Sequence, residues 1–236
     1  MKIMPPSSIQ QPIIKNQYRI FRRSCFSKNK EPIEIKNEFI RLNFEYRKFG
    51  MIETFLFETQ KLTDRLIKSG KLNIANILIN ELGKIYFKIG NIELAEKNIK
   101  ESLRISTLFN DTLHMLARFT DLEKIYRLTN NKYELIKTLK LKKDCAKEII
   151  KDYENSTRNF RSLIKTPTSL ESVKIQLAYT YNDLADLLMY KKPKDSIKML
   201  EKALEIYTEI GSDNEAKYIK KKILTIKAKL ENKKLL

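Results

Sequence analysis

Tyr46, Tyr86 and Tyr126 stand 40 residues apart, and their surroundings keep the same step. Tyr46-Arg-Lys-Phe-Gly50 aligns with Tyr86-Phe-Lys-Ile-Gly90 and with Tyr126-Arg-Leu-Thr-Asn130. Leu42, Leu82 and Leu122 precede the tyrosines by four residues, and Phe39, Ile79 and Phe119 by seven. Apolar side chains at these intervals share one face of a helix. Gly or Asn at the end of each stretch is the residue best able to take the left-handed conformation that closes a helix. Each unit is therefore expected to be a helix of about 15 residues, a tight stop and a second helix. A single hairpin cannot cover its own apolar face, so such units must stack and share a core. Burying Leu82 or Tyr86 should contribute on the order of 1.5–3 kcal/mol each. Several such residues per unit are needed to offset the ordering entropy of about 40 residues.

Composition agrees. The 236 residues include only five Gly and six Pro, too few for the turns of a sandwich or barrel. No apolar run approaches the roughly 18 residues that span a bilayer. Cys25 and Cys145 cannot make a disulfide framework, which fits a reducing compartment and a cytoplasmic location. The fold class expected is all-α, a solenoid of helix hairpins. The formal charge of +18 needs a discount, because 36 Lys, 30 Ile and 17 Asn all draw on AT-rich codons. Places where the charge clusters are more telling than its total.

The second unit reads Ile79-x-x-Leu82-Gly83-x-x-Tyr86-x-x-x-Gly90-x-x-x-x-Ala95-x-x-x-Ile99, and these spacings resemble the tetratricopeptide repeat (TPR). The resemblance implies that Gly83 and Ala95 mark the close approach of two paired helices. Ser102 stands where that family prefers Ala, and Thr107 where it prefers Pro. The period of 40, not 34, resembles longer variants of the repeat. Asn43 and Glu123 replace the small residue of the first helix, and Phe55 and Leu135 that of the second, which would splay those pairs. A fourth unit restarts at Tyr181-x-x-Leu184-Ala185-x-x-Leu188, with Pro193 in its turn and Ser196-x-x-x-Leu200-x-x-Ala203 behind it. The organisation expected is a flexible basic arm over 1–31, about four repeats over 32–211 with a loop near 155–169, and a basic amphipathic capping helix over 212–236.

Residues 1–30 hold seven basic residues and no acid, with Pro5, Pro6 and Pro12 among them. This composition reads as a disordered arm. Residues 18–27 resemble an organelle-targeting presequence, and the same basic and aromatic residues would also suit RNA or an acidic partner. No apolar core ahead of a cleavage site marks a secretory signal.

Catalysis finds little support. His114 is the single histidine, no phosphate-cradling glycine loop exists, and the two cysteines lack metal-ligand spacing. We expect no enzyme, no cofactor and no metal. The TPR resemblance implies instead a ligand groove lined by first helices. Its matching residues are Asn37, Ile40, Phe44 and Arg47 in unit one, then Ile77, Asn80, Lys84 and Phe87 in unit two. Unit three offers Ala117, Thr120, Lys124 and Arg127, and unit four offers Tyr179, Asn182, Asp186 and Met189. Arg47, Lys84, Lys124 and Arg127 would form a basic strip, with Asn80, Phe87 and Asn182 beside it. Such a strip suits an extended peptide bearing carboxylates. Ile40 and Phe44 replace the Lys and Asn of the family's carboxylate clamp, so chaperone binding is not expected. The last helix carries Lys220, Lys221, Lys222 and Lys227 opposite Ile219, Ile223, Ile226 and Leu230. It is expected to solvate the final repeat, without entering a membrane. The function expected is a scaffold that binds a protein or peptide. The alternative is a nucleic-acid-associated repeat protein using the arm and the last helix.

Overall fold

The computed structural model describes residues 10–27, 29–155 and 170–232. Ten helices and no strand occur among them: α1 (Gln10–Ser24), α2 (Pro32–Lys48), α3 (Ile52–Lys68), α4 (Leu72–Lys88), α5 (Ile92–Leu108), α6 (Thr112–Leu128), α7 (Lys132–Asn155), α8 (Leu170–Leu188), α9 (Pro193–Glu209) and α10 (Asp213–Asn232). They fall into two compact units that meet at Phe109 and Asn110.

The helices stop at 20-residue steps. Gly50, Gly70, Gly90, Asn110 and Asn130 all have positive φ, between 51° and 82°. After four of these stops the next amide reaches back five residues: Met51 to the Tyr46 carbonyl, Lys71 to Leu66, Asn91 to Tyr86 and Asn131 to Tyr126, at 2.8–3.0 Å. These are Schellman closures, which satisfy carbonyls that the helix end would otherwise leave orphaned. The residue after the stop often starts the next helix. Asn91, Asp111 and Asn131 each accept the backbone N–H three residues on, at 3.1–3.2 Å. The period of 40 is thus two helices of 17 residues, each with its own stop. The repeated tyrosines lie at the same carbonyl-accepting place near the ends of α2, α4 and α6, all buried.

In the N-terminal unit, α2 pairs with α3, α4 with α5, and the first helices α2 and α4 lie side by side. Gly83 lets α5 come close, since a Cβ there would stand 2.7 Å from Ile99 Cδ1. In the C-terminal unit, α6 pairs with α7, α8 with α9, α7 packs on α8, and α10 closes on α9 through Ala216, Ile219, Ile223 and Ile226. Pro193 is the first residue of α9, not part of the turn before it. The fold is all-α, an α-solenoid class built from TPR-like helix hairpins with a final helix packed on the last of them.

The expected flexible arm is corrected by the structure. The arm placed over 1–31 contains α1, whose Ile14, Tyr18 and Phe21, with Cys25 just past its end, are buried at helical spacing. Tyr18 and Phe21 join Phe39, Tyr46 and Phe55 in a cluster with ring centroids 5.0–6.3 Å apart. The Tyr18 hydroxyl also donates to Thr59 Oγ1 at 3.3 Å. The end of an array exposes an apolar face, and this helix covers it. Pro5 and Pro6, read as marks of the arm, lie outside the described residues, as does most of the loop expected over 155–169. Asn155 itself still belongs to α7.

Candidate functional site

The expected groove residues lie in both units. In the N-terminal unit, Lys36 of α2 and Lys84 of α4 both reach Glu81, at 4.0 and 3.0 Å. Asn80, 5% exposed, gives its amide to the same carboxylate at 3.3 Å. Arg47 donates Nε to Asn43 at 3.2 Å, and Phe87 is half-buried. Asn80 Oδ1 and Arg47 Nη2 are buried without a hydrogen-bond partner among the described residues. Ile40 and Phe44 remain in solvent on α2.

The C-terminal unit uses its expected groove cations internally. Arg127 bonds Glu123 at 2.9 Å and Asp183 of α8 at 2.5 Å. Lys124 leans to Asp121 at 3.5 Å while staying exposed. Asn182 accepts Lys222 Nζ at 2.8 Å, and the same ammonium meets Asp186 at 2.5 Å. Within each unit the expected cations thus meet carboxylates, Glu81 in the first and Asp121, Glu123 and Asp183 in the second, which the sequence pattern alone did not single out. A signal was present, since Glu81 and Asp121 occupy equivalent places 40 residues apart. Of the basic residues on α10, Lys222 is committed to α8 and Lys227 lies 3.5 Å from Glu201, while Lys220 and Lys221 are exposed.

Glu123 also binds buried Lys142 of α7 at 2.8 Å. Burial pushes the Glu123 carboxyl up, but the bonds from Lys142 and Arg127 outweigh it and hold the group below the usual glutamate range. At Asp183 burial dominates over Arg127, and the carboxyl is raised. Cys25 and Cys145 are buried thiols pushed up to about 12 by desolvation, with Glu38 and Glu148 adding to it. His114 contacts Asp111 at 2.5 Å at the exposed start of α6. No group of three metal-ligating side chains occurs among the described residues. No described helix is long and apolar enough to cross a membrane.

A groove of about 950 Å³ lies on the second-helix side of the N-terminal unit, with α3 and α5 as walls. Its lining falls at Glu53, Leu56, Phe57, Gln60 and Asp64, a helical row that the repeat alignment did not single out.

No family model matches the chain, and no curated protein matches it at a significant level. Among solved structures, it is similar to BtubC (BKLC) from P. vanneervenii at 12% identity, covering 86% of this chain and 76% of that one, with a TM-score of 0.45. A Podospora anserina putative kinesin light chain with nearly identical TPR-like repeats is 15% identical over 85% of this chain and 98% of its own, with a TM-score of 0.42. A de novo designed helical repeat protein gives 10%, 93%, 98% and 0.33 for the same measures.

Proposed function

We propose that this chain is a non-catalytic interaction scaffold that holds a partner peptide along the first helices of its N-terminal unit. Arg47, Asn80, Lys84 and Phe87 belong to that face. The observation that supports the reading is a pair of large apolar side chains kept in solvent, Ile40 (45% exposed) and Phe44 (62%). They continue the helical row that begins at Lys36, whose ammonium reaches toward α4. An extended peptide laid across this row would bury both apolar side chains. It would also set a carboxylate against Lys36 or Lys84, each about two-fifths exposed. Asn80 Oδ1 and Arg47 Nη2, buried beneath this face, have no hydrogen-bond partner among the described residues.

The 40-residue unit is read as a long-helix variant of the TPR, and the location as cytoplasmic, in keeping with two free buried thiols. The test is quantitative affinity purification with wild-type protein, Phe44→Ser/Lys84→Ala and Phe57→Ser. All three substituted side chains are partly or largely exposed, so the fold should survive. The reading expects a partner that is lost with the first variant and kept with the second. An identical set of partners for wild type and Phe44→Ser/Lys84→Ala would contradict it.

A further inference from the structure

The groove on the second-helix side of the N-terminal unit is separate from the face just described. Its floor comes from Leu56, Phe57, Ile79, Tyr86 and Ile89. On α4, Ile79 and Tyr86 are seven residues apart and share one side of the helix, while Lys84, five residues past Ile79, lies about 140° round from it and Phe87, next to Tyr86, about 100° round from Tyr86. Phe57 is 59% exposed, with the Lys61 ammonium over its ring at 4.0 Å, and Ile89 is 46% exposed, so the groove holds apolar surface that the fold covers only in part. Along α3 the lining runs from Glu53 to Ile67, about 21 Å at 1.5 Å per residue.

Two properties define the occupant. Leu56, Phe57, Ile79 and Ile89 bring no side-chain hydrogen-bonding group to the floor, unlike Asn80 and Arg47 on the first-helix face, so the floor offers few partners to an extended strand. A helix satisfies its own backbone and can lay an apolar stripe on such a floor. The walls differ in sign. On α3, Glu53 and Asp64 face the groove, and neither has an ion pair among the described residues. On α5, Lys97 likewise has none, while Arg104 is closed on Glu101 at 2.8 Å and Lys100 on Glu96 at 2.6 Å. One wall is thus acidic and the other carries an unengaged cation.

We propose that this groove docks an amphipathic helix of a partner protein, with cations along the edge facing α3 and carboxylates along the edge facing α5. The apolar floor supplies affinity. The opposed walls select one of the two directions in which a helix can lie.

The test uses two synthetic 18-residue helical peptides of identical composition, measured by fluorescence anisotropy against the full chain. One carries acids on one edge of its apolar stripe and bases on the other. The second mixes both signs on both edges. The split peptide should bind about tenfold more tightly. Phe57→Ser should weaken it about tenfold or more, and Glu53→Lys/Asp64→Lys should abolish the preference for the split peptide. Phe44→Ser/Lys84→Ala should leave binding unchanged, which separates this site from the first-helix face. Equal affinity for the two peptides, indifference to Phe57→Ser, or loss on Phe44→Ser/Lys84→Ala would each overturn the proposal. Circular dichroism on every variant excludes unfolding as the cause of a loss.

Discussion

At the contact between first and second helices, the two units reach the same end with different residues. In the N-terminal unit, Gly83 leaves room for Ile99, and Ser102 donates to Asn76 at 2.5 Å across the pair α4 and α5. Forty residues on, Glu123 and Lys142 fill the equivalent positions with an ion pair between α6 and α7. Gly83→Ala should gain about 1 kcal/mol of helix propensity and lose about 2 kcal/mol to overpacking against Ile99. Urea denaturation should therefore show a net loss, which turns into a gain in an Ile99→Ala background. Lys142→Ser leaves the half-buried Glu123 with Arg127 as its remaining partner and should cost about 1–3 kcal/mol. Adding Glu123→Gly, which installs the residues of the N-terminal unit, should recover much of that loss. The pH dependence follows from the same carboxylate. The folded state holds Glu123 below its usual value, so its contribution is present at neutral pH and is lost as pH falls through the ordinary glutamate range toward the lowered value. Asp183, raised by burial, acts with the opposite sign and offsets part of that loss. Glu123→Gln should make the melting temperature less sensitive to acid over that interval.

Among the elements, α1 departs furthest from expectation. Its basic residues and nearby prolines gave it the composition of an unstructured arm, while Ile14, Tyr18, Phe21 and Cys25 formed an apolar row that could have been found by period alone. The distinction has a direct consequence. In a disordered arm Phe21→Ala would be neutral, but with Phe21 fully buried against Phe39 it should cost about 3–5 kcal/mol in a denaturant titration. The other elements were more legible, because each helix end needs a special residue. Gly50, Gly90 and Asn130 stand beside the recurring tyrosines and were visible from the repeat. Gly70 and Asn110 make the same turn after second helices, whose apolar residues match poorly between units, so the 20-residue step emerged only with the helices themselves.

For the molecule as a whole, periodic burial was legible in the sequence and ion pairing was not. Tyr46, Tyr86 and Tyr126 report the register because every unit must bury the same face. The cations at Lys84, Lys124 and Arg127 looked like a ligand-binding strip because their answering carboxylates come from the same helix or from a neighbouring one. Arg127 and Asp183 are 56 residues apart in sequence, a pairing that no local pattern encodes. The groove between α3 and α5 was hidden for a related reason, since it depends on how α4 spaces two helices that do not follow each other in the chain. Photo-cross-linking from the full chain, with benzoylphenylalanine at position 57 or at position 44, puts the groove to the most direct test. Both sites are exposed phenylalanines of the N-terminal unit. With the split-edge helical peptide, cross-links are expected from position 57 and none from 44; labelling from 44 alone, or from neither, would contradict docking in the groove.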